Sequence, residues 1–416
     1  MNRNQGAGSR LHTGLLAIAA VTLVSLIVAY PGQAFDASLA GLKIWWDFVF
    51  PALLPFFILS ELLLGFGVVH ALGALMSPAM RCLFRLPGAG AWAVAMSFAA
   101  GFPGGAKAAA DLRRNGVVSR AEGDRLLALS HLASPIFLTS VVAAGFLGRP
   151  ELGLPLALIH LLSALVVGVL SARLRAGGTR DSGVRTDDAM PKRSLVAVMA
   201  DAHRQDGRPL GRLLGDAVAS SVQTLLVLGG FMIVFSVLAQ LVSMLGVRLG
   251  LEWLWPTMLR REAPAGLADG TLAALFEVHL GAYAVAHGAA SSVWTAALLS
   301  AVIGWGGLSV HAQVKSLIGD TDLRYAPFLL ARLAHAAVAA LLALALWNPM
   351  LRWLGVAAEA FAGPAAGGAP APLGVLGRAL PHYAASAQAL GAFLLAALAL
   401  SFALRLFRRG RDAAAR

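Results

Sequence analysis

The 416-residue chain is 58% hydrophobic and 13% charged, with a mean hydropathy of +0.74, whereas soluble globular domains carry charge on about a quarter of their residues. Its net charge of +12 would suit a nucleic-acid binder, but the Lys and Arg residues lie between apolar bands and at the two ends, as in cytoplasmic loops of membrane proteins, so nucleic acid is set aside as a partner. A lone cysteine, Cys82, excludes internal disulfides and any multi-cysteine metal site.

Apolar bands of about 20 residues recur along the chain, which predicts an all-α polytopic membrane protein with the lipid bilayer as its first partner. Residues 14–30 form the first band, behind Arg3 and Arg10. They read as a retained helix because more spans follow; a signal peptide is the alternative. Residues 44–69 follow, with Trp45 and Trp46 as interfacial anchors and one carboxylate, Glu61.

The uncharged run 86–106 ends in Gly101, Pro103, Gly104 and Gly105, and then in Lys107. Glycine loosens a helix and proline removes a donor, so this run predicts a broken helix. Basic residues flank it on both sides: Arg81 and Arg85 before, Arg113, Arg114, Arg120 and Arg125 after. A full crossing would place one set outside, whereas a re-entrant segment keeps both inside. A short loop outside the bilayer is the bland alternative.

Residues 126–148 cross next, with Ser130, His131, Ser134 and Pro135 marking a kink that frees a carbonyl for a ligand or merely serves packing. Residues 152–172 cross back. The stretch 173–212 holds nine Lys/Arg against five Asp and reads as a mobile cytoplasmic linker. An uncharged band at 217–247, a loop at 248–269 and a second carboxylate, Glu277, lead to another glycine-rich break, Gly304 to Gly307. Ser309, His311, Gln313 and Lys315 follow it, then a band around 325–347 carrying Arg332 and His335. Residues 348–382 form an Ala/Gly/Pro-rich connector before a last band at 383–404 and a basic tail.

Two broken segments in two halves are the sequence signature of a transport site near the bilayer midplane. Ser97 and Gly101 match Ser300 and Gly304 at an offset of 203, and Glu61 matches Glu277 at 216, which predicts an internal repeat. Its orientation, parallel or inverted, stays open. The expected site comprises Gly101, Pro103, Gly104, Lys107, Ser134, Gly304, Gly307, Ser309, His311 and Gln313 as solute contacts. Glu61 and Glu277 are the expected coupling groups, because burial disfavours a lone carboxylate and so suits proton or cation binding; interhelical hydrogen bonding is the alternative. Lysines beside exposed peptide N–H groups favour an anionic ligand, although each could simply snorkel to lipid. His311 on its own is more often a satisfied interior histidine than a ligand. No Walker loop, zincin pair or nucleophile elbow occurs, so the chain is not expected to be an enzyme, and no cofactor or metal is expected.

Three blocks, 51–63, 101–107 and 306–314, resemble the YlbJ-type sporulation integral membrane proteins. These contain nucleoside-recognition gate domains and are related to the core of concentrative nucleoside transporters. The resemblance implies two gate-type repeats with broken or re-entrant helices and a multi-pass place in the mother-cell or forespore-surrounding membrane of an endospore former. It also implies a role in spore (cortex) maturation, with other sporulation membrane proteins as candidate partners. Where the family has Tyr and Asn, this chain has Phe102 and His131. The expected division is an N-terminal helix and extracytoplasmic loop (1–40), a first repeat (41–175), a basic linker (176–212), a second repeat (213–347) and a C-terminal connector, helix and tail (348–416). Transport of a small polar or anionic solute is the expected function; a non-transporting scaffold for spore envelope assembly, docked through the linker, is the alternative.

Overall fold

The computed structural model of the chain describes residues 20–174, 194–259, 267–288 and 292–356, together with residues 14, 17 and 18. The described residues form helices joined by short turns, with no strand among them, and five stretches are long and apolar enough to cross a membrane. The architecture is therefore that of an all-α polytopic membrane protein.

Helix α1 spans Ala20–Ala29. Helix α2 (Pro31–Ile44) opens on a proline, whose missing N–H costs nothing in a first turn. It continues through a π-helical turn at Trp45–Val49 into α3 (Phe50–Gly65), so that Pro31–Gly65 is one 35-residue rod. Helix α10 (Leu210–Val242) runs antiparallel to this rod. The seam between them is closed by glycines: a Cβ on Gly41 would lie 3.0 Å from Ser236 Cβ, and one on Gly229 would lie 2.7 Å from the Trp45 ring. Small residues at such seams are how helices associate where lipid removes the hydrophobic drive.

Helix α4 (Val68–Leu83) starts at Gly67, in the left-handed region at φ 76°, and leads to α5 (Ala91–Ala100) and α6 (Gly104–Arg114). These last two form a hairpin, because a Cβ on Gly104 would meet Ala100 Cβ at 2.6 Å and one on Gly105 would meet Ser97 Oγ at 2.0 Å. Helix α7 (Arg120–Leu129) is capped by Ser119 and Glu122 in a reciprocal capping box. It unwinds over residues 130–134 and resumes as a π-helical segment, Phe137–Phe146, before α8 (Gly153–Leu174) returns.

The second half repeats this plan. After α9 (Leu195–Asp206) and α10 come α11 (Arg248–Leu259) and a second hairpin, α12 (Leu267–Phe276) and α13 (Val278–Ala286). A Cβ on Gly281 would lie 2.3 Å from Ala274 Cα and one on Gly270 would lie 3.1 Å from a Val285 methyl, an antiparallel register centred on Glu277 and Val278. Helices α14 (Ser292–Trp305) and α15 (Gly307–Leu317) form a broken crossing, and α16 (Tyr325–Leu354) returns beside α14.

Ion pairs fix the orientation of the two halves. Arg113 at the end of α6 makes a bidentate pair with Asp322 at 2.7 and 2.8 Å, and Arg114 reaches Asp320 at 2.9 Å and the Leu317 carbonyl at 2.8 Å. Asp124, 1% exposed, accepts from the backbone and guanidinium of Arg324 at 2.8 Å each. The end of α15 thus shares a face with the end of α6 and the start of α7, so the two broken crossings run antiparallel. The first hairpin opens on that face and the second on the opposite one. The repeats are inverted. Arg81, Arg85, Arg120 and Arg125 crowd the first face, which the positive-inside rule makes cytoplasmic.

Several expectations change. Residues 31–40 are helical, not an extracytoplasmic loop: the chain starts a new helix at Pro31 and runs on through the π-helical turn into α3. The linker 176–212 contains α9, capped by Ser194 and seated on the α3–α4 elbow, where a Cβ on Gly67 would meet the Met199 carbonyl at 2.5 Å. The partner of the Gly101 hairpin is the Glu277 hairpin, and Gly304 lies inside α14. Residues 357–416, with the last apolar band, are outside the described residues.

The Asp322 carboxyl, outside the membrane-spanning helices, is held below its ordinary value by the hydrogen bonds of Arg113. A depressed carboxylate stabilises the fold fully above its unfolded value of about 3.8 and loses that contribution as pH falls further. The melting temperature of the detergent-purified chain should therefore drop below about pH 4, and Asp322→Asn should flatten that drop, as pH-dependent thermal unfolding will show.

Candidate functional site

Four interruptions meet near the centre of the fold. The tip of the first hairpin has Gly101 at φ 59°, ψ −146°, a conformation open to glycine alone, and it lies against the unwound stretch after α7. A Cβ on Gly101 would be 3.2 Å from Ser134 Cβ, and one on Gly105 would be 1.8 Å from the Ser130 carbonyl. In the second half, Gly306 and Gly307 have φ 89° and 79°, and a Cβ on Gly307 would be 2.8 Å from Glu277 Cα at the tip of the second hairpin. Each hairpin tip is thus seated on the break of a neighbouring crossing.

The two pairs meet at a shared cleft. Gly101, Phe102 and Ser134 from the first half and His279, Val310 and Gln313 from the second line an inner space of about 30 Å³. A wider space of about 260 Å³ adjoins it through Phe57, Phe102, Leu228 and Gln313, and adds Pro103, Gln223 and Thr224. Two amides and a hydroxyl beside two phenyl rings can orient a small polar solute and exclude a peptide-sized one.

The expected residues divide sharply. Gly101, Pro103, Ser134 and Gln313 line the cleft. Gly104 and Gly307 shape the tips, and Lys107 is exposed one turn beyond Pro103 on α6. The Ser134 hydroxyl already accepts from Phe137 N–H at 3.2 Å. Ser309 is buried beside the second break, its Oγ without a partner among the described residues. His311 commits both ring nitrogens, one donating to the Trp305 carbonyl at 3.1 Å and the other accepting from Tyr325 Oη at 2.8 Å, so it braces the second break from behind. Gly304 permits close packing on α16, its Cβ position 2.9 Å from Ala336 Cα, and does not reach the cleft. Glu61 is half-buried one turn from Phe57 on the same face of α3. Glu277 caps α13, accepting from Leu280 N–H at 2.9 Å, and its other oxygen accepts from His279 Nδ1 at 2.8 Å.

Sequence reasoning missed His279, Gln223, Thr224 and the role of Arg332. Gln223-Thr224 was the legible signal, a polar pair inside a long apolar helix. Arg332, 2% exposed, donates to the carbonyls of Ala128 and His131 at 2.6 and 2.7 Å, capping the negative end of α7 where it unwinds. His131, between Phe102 and Phe328, is buried with both ring nitrogens unpartnered among the described residues.

A methyl group at Gly105 has nowhere to go. Gly105→Ala should destabilise the purified chain by about 3 kcal/mol, whereas Gly215→Ala, with open space around it, should leave the melting midpoint unchanged or slightly raised. Equal midpoints for the two variants would show that the first tip does not seat on Ser130.

Residues 48–150 match the family model described as Gate, nucleoside recognition. The chain is 39% identical over 347 residues to the sporulation integral membrane protein YlbJ of Bacillus subtilis strain 168, covering 82% of this chain and 84% of the relative. No solved structure matches. With that identity spanning both inverted halves, the chain belongs to the family of YlbJ sporulation integral membrane proteins.

Proposed function

We propose that this protein is a secondary transporter or permease that moves a small polar or anionic solute across the mother-cell or forespore-surrounding membrane during spore and cortex maturation. The observation that carries this reading is a cleft of two joined parts: an inner space of about 30 Å³ lined by residues of both hairpins, Gly101, Phe102 and His279, and an outer one of about 260 Å³ lined by Gln223, Thr224 and Gln313 beside Phe57 and Phe102. Freed peptide groups and helix ends placed around a midplane cavity are what alternating-access carriers use to hold a solute without strong fixed charge. The N-terminal end of α6, at Gly104, adds a positive dipole end to this cleft, and Lys107 one turn on adds a charge at its mouth, which favours an anionic group. Glu61, on the cleft-facing side of α3, is the proposed coupling group at the same mouth.

Flux through the purified protein in liposomes is the test, with radiolabelled uridine as a neutral probe and succinate as an anionic one. Uptake of one of them should fall about tenfold or more in Gln313→Ala, the order expected for losing one buried hydrogen bond to a solute. Lys107→Ala should reduce succinate uptake more than uridine uptake. Uptake of neither probe above that of empty liposomes would contradict the assignment and leave the scaffold reading in its place.

A further inference from the structure

We infer that His279 is the proton-binding group of the cleft and that Glu277 is its positioning residue; this rests on the transport reading of the same cleft. The two side chains sit at the tip of the second hairpin, where α12 gives way to α13 through a single extended residue. The Glu277 side chain is 1% exposed and that of His279 is 6% exposed. A buried carboxylate needs compensation. Glu277 receives it from the Leu280 N–H at 2.9 Å, at the positive end of α13, and from the His279 ring at 2.8 Å.

A carboxylate accepts only, so the ring nitrogen facing it, Nδ1, carries hydrogen. That leaves Nε2 as the second nitrogen of a ring that lines the inner cleft with Ser134 and Gln313. With Nε2 bare, the dyad carries one negative charge. A proton added to Nε2 makes the ring a cation, turns the dyad into an ion pair and presents an N–H donor towards the cleft. One proton thus cancels the net charge of the dyad and creates a contact for an acceptor oxygen of the solute, which is what coupling requires. No bond is made or broken beyond that N–H, and the proton comes from water.

Besides Glu61 at the mouth, the titratable groups around the cleft differ from the dyad. On α15, which contributes Val310 and Gln313, His311 has both ring nitrogens engaged by Trp305 and Tyr325, and Lys315 is exposed. His131 packs on Phe102 outside the lining. The π-helical segment offers the edge of Phe137 at 4.9 Å, α3 offers Leu53 and Phe57, α10 offers Leu228, and the first hairpin offers Gly101 and Phe102. The nearest charged groups on those elements are Glu61 and Lys107, each a turn beyond a cleft-lining residue. On the other elements beside α13, Asp269 of α12 pairs with Arg248 at 2.9 Å, Lys43 of α2 pairs with Asp47 at 3.0 Å, and Asp36 is exposed.

Hydrogen exchange on the full chain in detergent, without solute, tests the dyad directly. After correction for intrinsic exchange chemistry, the Leu280 amide should be about tenfold better protected at pH 5 than at pH 8, because an ion pair holds Glu277 more tightly than a neutral hydrogen bond does. His279→Gln keeps a donor for Glu277 and should abolish this pH dependence. An unchanging wild type, or a pH dependence that persists in His279→Gln, overturns the inference. In liposomes, uridine or succinate uptake that ignores an imposed pH gradient in the wild type overturns proton coupling while transport stands. Absence of uptake with the exchange signature intact removes the transport reading and leaves the proton site.

Discussion

Four helices are interrupted inside an apolar bundle, and each peptide group released there has to find its partner within the protein, since lipid offers none. That constraint explains most of the centre of this fold. At the first crossing the Ser130 carbonyl accepts from Ser97 Oγ, Ser130 Oγ donates to the Gly105 carbonyl at 3.1 Å, and the Ala133 N–H donates to His160 Nε2 at 3.1 Å. Arg332 takes the carbonyls of Ala128 and His131. At the second, the Trp305 carbonyl is met by His311 and the Leu275 carbonyl by Trp305 Nε1. Glycine permits the close approach in both halves, at the tip (Gly105) in the first and on the crossing (Gly307) in the second. Where Gly105 touches Ser130, a single methyl would prise the two apart.

Charge follows the same economy. The broken helices turn their ends towards the middle, and the ends are neutralised by one residue of each sign: Arg332 at the carbonyl end of α7, Glu277 at the amide end of α13. The cytoplasmic face, by contrast, is pinned by ion pairs between the halves, Arg113 with Asp322 and Asp124 with Arg324. An ion-paired clamp on one face and glycine-seated contacts at the centre thus bound the cleft.

The apolar bands and the first break were legible because composition alone carries them: long runs without charge, then glycine and proline together before Lys107. Basic residues on both sides of that run also made the re-entrant form readable. The second break falls within the stretch Gly304 to Gly307 read from the sequence, but Gly304 and Gly306 look alike there and differ only in what they touch, Ala336 in one case and a turn with φ 89° in the other. The second hairpin was invisible as such. Its bend is made by Glu277 in an extended conformation with no glycine or proline at the turn, and nothing local distinguishes that from a helix N-cap. The inverted orientation was likewise hidden, because it is set by partners some 200 positions apart, Arg113 with Asp322 and Asp124 with Arg324.

The claim on which all else depends is that two hairpins dip in from opposite faces and bring their tips to one shared cleft. Cysteine labelling measures this directly in a Cys82→Ser background, with a membrane-impermeant maleimide applied to intact protoplasts and to inverted vesicles. Arg85→Cys and Asn115→Cys flank the first hairpin at exposed positions, and His287→Cys is exposed just after the second. Labelling of positions 85 and 115 only in inverted vesicles, and of 287 only in intact cells, is the pattern that inverted hairpins require. Labelling of 85 and 115 from opposite faces, or of 287 from the same face as both, would contradict them.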